Sequence, residues 1–152
     1  MHPQILEAQK LPTIPDPVTI WDERLQSIRE QEKHLARNGT VILKFWLNVS
    51  REEQKRRFLS RLDDADKNWK FEPKDVAERR YWDDYMSAYE AALNATSRPW
   101  APWYAIPADN KPYMRARVSG IIIETLQSIG LSYPEPSAED RAAFAAARAE
   151  LA

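Results

Sequence analysis

Hydrophobic positions along this chain change their spacing several times, and each change marks an element. Trp21, Leu25, Ile28 and Leu35 recur at helical intervals, which predicts a helix over residues 21–38. Gly39 stands where a left-handed C-terminal cap belongs. Thr40 to Leu47 is β-rich and nearly continuously apolar, the pattern of a strand buried on both faces. Ser50 with Glu53 three residues later forms a capping box that opens a helix from Arg51 to Leu62. The polar run 63–68 ends it. Pro73 suits the first turn of a longer second helix reaching about Asn94. Val76, Tyr81, Tyr85, Tyr89 and Leu93 fall near one face of that helix, with Trp82 beside them. Trp103 to Ile106 reads as a second buried strand between Pro102 and Pro107. Lys111 to Ile129 reads as a helix with an apolar stripe of Val118, Ile122, Leu126 and Ile129, capped by Gly130. Ser137 and Asp140 start a last, Ala-rich helix that has little to bury. Ahead of all this, Pro3, Pro12, Pro15 and Pro17 keep residues 1–20 extended or irregular.

Helix, strand, helix, helix, strand, helix is the order of a parallel α/β sheet with right-handed crossovers. Two strands are too few for such a sheet. Their neighbours are expected from sequence upstream of Met1 or from another chain, and the isolated chain is expected to self-associate or to bind a hydrophobic dye.

Composition narrows the chemistry. At 152 residues this is one domain or a large piece of one. With 43% hydrophobic residues it has the material for a core. There is no cysteine, which excludes disulfides and thiolate metal sites. His2 and His34 are the only histidines, which argues against a histidine-built metal centre. The apolar run around Ile121, Ile122 and Ile123 is far too short to span a bilayer. A cytoplasmic protein with no membrane and no nucleic-acid partner is the expectation. The net charge of −1 decides nothing until the charges are placed.

Three constellations could carry chemistry. Arg57 and Arg61 are four residues apart and leave one helical face; Lys67, Lys70 and Arg79 follow. Such cations suit a chain of phosphates, because planar Arg forks match phosphate oxygens and stabilise a phosphoryl group in flight. Spacing alone favours a solvated face paired with Glu52, Glu53, Asp63 and Glu78, because charge runs on helices are common. In Trp69-Lys70-Phe71 a lysine stands between aromatics. It is either an anion contact or a plug closing a helical hairpin, with Lys70 in water. Asp109-Asn110-Lys111 follows the second strand, at the sheet edge where open α/β folds bind ligands. The plainer reading is helix capping by Asp109 or Asn110 with Lys111 solvated, and capping is the expected single role for Asp109. Tyr81, Trp82, Tyr85 and Tyr89 could stack bases, but their helical spacing favours core packing. The three glycines, at 39, 120 and 130, make no G-x-x-x-x-G-K-[ST] loop.

Taken together, the motifs resemble one family. Gly39-Thr40 leads into Leu43-Lys44-Phe45-Trp46-Leu47. Ser50, Glu52-Glu53-Gln54 and Arg57-Phe58 follow. Farther on come Trp69-Lys70-Phe71, Asp75, Glu78-Arg79 and Trp82-Asp83-Asp84-Tyr85. Thr96-Ser97, Ala101-Pro102-Trp103-Tyr104, Pro107-Ala108-Asp109 and Lys111 complete the set. Over about residues 2–134 this is similar to the polyphosphate kinase 2 family.

The resemblance implies a P-loop kinase-like, three-layer α/β/α fold with a helical lid, its parallel sheet incomplete in this chain. It implies phosphoryl transfer between polyphosphate and a nucleoside mono- or diphosphate, of the ADP/AMP or GDP/GMP type. Mg²⁺ is the cofactor of the complete enzyme, with none bound by this chain alone. The family's phosphate-cradling loop and catalytic Asp would lie upstream of Met1, leaving the catalytic residues unassigned here and the chain inactive alone. Residues 1–134 would be the C-terminal part of the domain, with the lid at about 51–80 and a helical tail at 135–152. Lid cations map onto Arg57, Arg61, Lys67, Lys70 and Arg79, expected to face a common phosphate path. Asp109 and Lys111 map onto the closing turn. A homo-oligomer or a complementing N-terminal half is the implied partner. The rival readings are a non-catalytic remnant that at most binds polyphosphate, or an interaction domain using its aromatic face.

Overall fold

Ile20–Arg37 forms the first helix, α1, and Gly39 follows it with φ of 88°. That is the left-handed region which glycine enters without a Cβ penalty. A computed structural model describes residues 18–152 together with Leu6, Ala8, Gln9, Leu11 and Asp16; the proline-rich reading of residues 1–20 lies mostly outside the described residues.

β1 is Lys44–Asn48, shorter at its start than the apolar run suggested. The reason lies in its partner. β2, Trp103–Pro107, pairs with β1 in parallel, Lys44 opposite Trp103 through Asn48 opposite Pro107. Pro102 accepts from the Lys44 N–H at 3.2 Å but has no N–H of its own, so the ladder cannot continue backwards. Nor is β1 buried on both faces: it is half-buried, with Leu47 exposed.

The capping box survives as a one-sided cap. Ser50 Oγ accepts from the Glu53 N–H at 3.2 Å and starts α2, Arg51–Leu62. The long second helix is instead two. α3 is Pro73–Glu78 and α4 is Trp82–Thr96, separated by a 3-10 turn at Arg79–Tyr81. The tighter turn falls where the Arg79 side chain is anchored to α2, so the anchored segment and the sheet-packing helix become separate elements. Glu72 gives α3 no side-chain cap; Pro73 alone marks its first turn.

The chain divides into two units, residues 1–118 and 119–152. In the first, α1 lies along α4, with Arg29 Nη1 donating to Ala95 O at 3.1 Å. Its buried apolar residues are few: Ala101, Ile106 and Ala108, beside the buried Thr96. α5, Lys111–Ser128, begins in the first unit and ends in the second. The second unit also holds α6, Ala138–Glu150. There Ser137 and Asp140 form a complete capping box, and the helix is exposed along its length.

Candidate functional site

α2, a 3-10 turn at Asn68–Lys70 and α3 double back as a helical hairpin. Two contacts hold it. Phe58 meets Phe71 edge-on, ring centroids 6.2 Å apart. Arg79 Nη1 donates to Arg51 O at 3.1 Å and to Gln54 Oε1 at 2.5 Å. Phe71 is therefore the plug. Trp69 stays exposed, its Nε1 donating to Asp66 O at 3.0 Å, and Lys70 lies over its ring at 4.9 Å.

The first turn of α2 gathers three of the candidate residues. Ser50 N–H donates to Asp109 Oδ1 at 2.7 Å, which joins the end of β1 to the turn after β2. Arg57 Nε donates to Glu53 Oε1 at 2.7 Å, and its Nη2 donates to Ala108 O at 2.6 Å. Arg79 reaches the same turn through Arg51 and Gln54. Asp109 is thus not the helix cap its position suggested. Asn110 takes that role, its Oδ1 accepting from the Tyr113 N–H at 3.0 Å; Asp109 is left to bridge two loops.

Glu53 also accepts from Arg56 Nε and Nη2, each at 2.6 Å. Bonds from Arg56 first and Arg57 second hold its carboxyl at a pKa of about 2, against an ordinary 4.5. A fixed carboxylate aims Arg57 but occupies only one edge of its fork. Arg57 Nη1 makes no hydrogen bond to the described residues, so part of a preorganised donor set remains open.

The other candidate cations are held locally. Arg61 lies over the Phe58 ring at 5.7 Å. Lys67 pairs with Asp64, whose pKa is lowered chiefly by that bond. Lys111 is the exposed first residue of α5. None of these joins the cluster at the first turn of α2 through a direct bond among the described residues.

Beside the hairpin runs a cleft of about 830 Å³, bordered by β1, α2 and α4. Trp82, Tyr85 and Tyr89 line it, and Tyr89 tilts against Trp46 at 5.6 Å. Tyr85 Oη donates to Glu78 Oε2 at 2.8 Å, which raises the phenol's pKa. The expectation that this aromatic stripe packs a core is met only in part within the described residues: Trp82 and Tyr85 are half-buried, and Tyr89 stays 46% exposed.

Sequence reasoning passed over Lys44. Its Nζ donates to Glu32 Oε1 at 2.8 Å, Glu32 Oε2 at 2.7 Å and Thr96 O at 2.8 Å. It also lies over the Trp103 ring at 5.2 Å. One cation thereby ties α1, β1, α4 and β2 together. A lysine inside an apolar strand signals such a partner, since a charge is seldom buried unpaired.

A family profile described as Polyphosphate kinase 2 matches residues 14–132. The chain belongs to the polyphosphate kinase 2 family. An ADP-polyphosphate phosphotransferase of Rhodopseudomonas palustris is 46% identical over 152 residues, covering 99% of this chain and 53% of that protein. An AMP/ADP-polyphosphate phosphotransferase of Meiothermus ruber is 48% identical over 120 residues, 79% of this chain and 45% of its own length. The crystal structure of polyphosphate kinase 2 from Arthrobacter aurescens superposes with a TM-score of 0.80 at 40% identity, covering 90% of this chain and 47% of that one. The chain spans about half the length of these relatives. Its parallel strands and helices are accordingly part of a P-loop kinase-like α/β fold.

Proposed function

We propose that this chain supplies the lid-bearing half of a polyphosphate-dependent nucleotide phosphotransferase. The reaction moves a terminal phosphoryl group from polyphosphate to a nucleoside mono- or diphosphate, or the reverse. An acceptor phosphate oxygen forms the new P–O bond as the bond to the polyphosphate oxygen breaks, and the shortened chain leaves as the anion. The observation that carries this reading is the cluster at the first turn of α2. There Arg57, aimed by Glu53, keeps Nη1 open beside Arg79 and the Asp109 turn.

Phosphoryl transfer asks a protein mainly for positioning and charge stabilisation. Arg57 and Arg79 meet that demand where charge spreads over the transferred group. Arg61, Lys67 and Lys70, farther along the hairpin, would track successive phosphates of the donor, with Lys111 at the closing turn. Mg²⁺ belongs to this reading as an ion carried mostly by phosphates and water. Among the described residues no group of three or more His, Cys, Asp or Glu is placed to hold a metal ion, so no step is assigned to it here. The sequence has no G-x-x-x-x-G-K-[ST] loop; on this reading another part of the enzyme supplies the phosphate cradle, and the isolated chain is expected to be inactive.

A chimera tests the reading. The span of the Rhodopseudomonas palustris relative that matches this chain is replaced by residues 1–152, and transfer from polyphosphate to ADP is followed by ³¹P NMR. A folded chimera should turn over, and Arg57→Ala in it should lower kcat by about tenfold or more. A folded chimera without turnover would reject the assignment.

A further inference from the structure

Glu53 and Gln54 are consecutive residues of α2, and each holds a different arginine. Glu53 takes Arg57, four residues along the same helix, at 2.7 Å. Gln54 takes Arg79 from the other arm of the hairpin, 25 positions away in sequence: its Oε1 accepts from Arg79 Nη1 at 2.5 Å. The Arg51 carbonyl accepts from the same nitrogen at 3.1 Å. Gln54 and Arg79 are both half-buried, and both border the cleft beside β1.

The two holds differ in charge. Glu53 is a carboxylate shared between Arg56 and Arg57, so its negative charge offsets part of theirs. Both acceptors of Arg79 Nη1 are neutral, an amide oxygen and a backbone carbonyl. A bond from a guanidinium to such an oxygen is charge-assisted and fixes direction, yet it leaves the positive charge to act on an incoming anion. A carboxylate in the same place would grip Arg79 harder and cancel that charge at the short range where Coulomb energy is largest. Arg79 Nε and Nη2 make no hydrogen bond to the described residues. Arg offers donors only, so the amide oxygen of Gln54 must face it and the NH2 group the other way. That NH2 group likewise makes no hydrogen bond to the described residues.

We propose that Gln54 is a positioning residue for phosphoryl transfer: it aims Arg79 without neutralising it and offers its own NH2 group as a further donor to the same anion. This rests on the phosphotransferase reading of the hairpin and adds a residue to it. The plainer role for Gln54 is a tie between the two arms of the hairpin. Gln54→Glu separates the two roles. As a tie it is at least as good, because the hydrogen bond becomes an ion pair. As a positioning group it is worse, because it sets a negative charge against Arg79 and replaces the NH2 donor with an oxygen.

The test makes Gln54→Glu and Gln54→Met in the chimera, reading kcat and KM for transfer from polyphosphate to ADP. The same variants in the 152-residue chain are read by polyphosphate affinity across a salt series and by amide exchange in α2. Gln54→Met keeps the charge count and loses the amide. It should lower kcat by about tenfold or more, leave the slope of log affinity against log salt unchanged, and speed exchange in α2. Gln54→Glu should exchange no faster than the unaltered chain, yet lower kcat by about tenfold or more. It should also raise the KM for polyphosphate above that of Gln54→Met and make the salt slope shallower by about 0.7. Should Gln54→Met fail to fold, Gln54→Glu still decides, since it keeps the tie. A Gln54→Glu chimera that turns over like the unaltered one would make Gln54 a tie and nothing more, and would overturn the inference while the functional reading stands. A Gln54→Glu variant with a loosened α2 would overturn it too, because the ion pair should hold the hairpin. A folded, unaltered chimera without turnover would reject the functional reading and this inference with it.

Discussion

Lys44 and the hairpin cations use the same kind of charge for opposite ends. Lys44 is 12% exposed and its carboxylate partner Glu32 14%, and the three hydrogen bonds its ammonium donates all go to Glu32 and Thr96. Lys70 is exposed, with the Trp69 ring on one side, and Arg61 is half-buried over the Phe58 ring. Arg57 stands between these extremes, 25% exposed, with one edge of its fork fixed and the other open. A cation whose donors are all satisfied within the fold holds elements together. A cation held in place but only partly satisfied is available to an anion. Burial and partner count therefore separate a cation satisfied within the fold from those left partly open here, although the sequence shows both simply as Lys or Arg.

The largest effect should come from Lys44. Lys44→Ala leaves Glu32 buried without its partner, which costs about 3 kcal/mol in comparable buried pairs. Urea denaturation should show that loss; a change under about 1 kcal/mol would mean that the junction behaves as a surface pair. Next comes Arg57→Ala, which should weaken polyphosphate binding by about 1.5 kcal/mol, roughly tenfold, measured by calorimetry at low salt. Arg79→Ala should lower affinity too and, unlike Arg57→Ala, should loosen the hairpin, visible as faster amide exchange in α2.

Glu53 gives a pH test of the same contrast. Its folded pKa is depressed to about 2 from 4.5. A depressed carboxylate contributes stability that is fully present above its unfolded pKa and is lost as pH falls through the folded one. The hold on Arg57 should therefore persist at pH 5 and disappear as the pH falls from about 4.5 toward about 2. A ¹³C titration of the Glu53 carboxyl checks this; a midpoint near 4.5 would mean that the two arginines do not hold it. Smallest of all is Lys67→Ala, an exposed pair with Asp64, which should leave the urea midpoint essentially unchanged.

Much of the fold was legible because local signals set it. Ser50 with Glu53, Pro73, Gly39 and Gly130 mark element ends through backbone chemistry that depends on near neighbours. What escaped depends on distant partners. The extent of β1 is limited by Pro102, the residue just ahead of β2. The break at Arg79–Tyr81 coincides with a side chain anchored to α2. Asp109 lost its expected capping role because Asn110 was placed to fill it, while Ser50 offered a donor across the sheet edge. The site followed the same rule. The arginines were visible by their spacing and by the family motif, and Glu53, which aims Arg57, is a local partner four residues away on the same helix; the Ala108 carbonyl that takes the second nitrogen comes from tertiary contact. The aromatic stripe misled in part, for a related reason: helical spacing reports an apolar face, not what covers it.

Polyphosphate affinity across a salt series, for the unaltered chain and for Arg57→Ala, Arg61→Ala and Arg148→Ala, tests the central claim most directly. If the hairpin cations hold phosphates, Arg57→Ala and Arg61→Ala should each weaken binding and make the plot of log affinity against log salt shallower by about 0.7. Arg148→Ala, on the exposed α6, should leave both unchanged. Equal losses from all three would mean that binding follows total charge, and the hairpin would then have no special claim on polyphosphate.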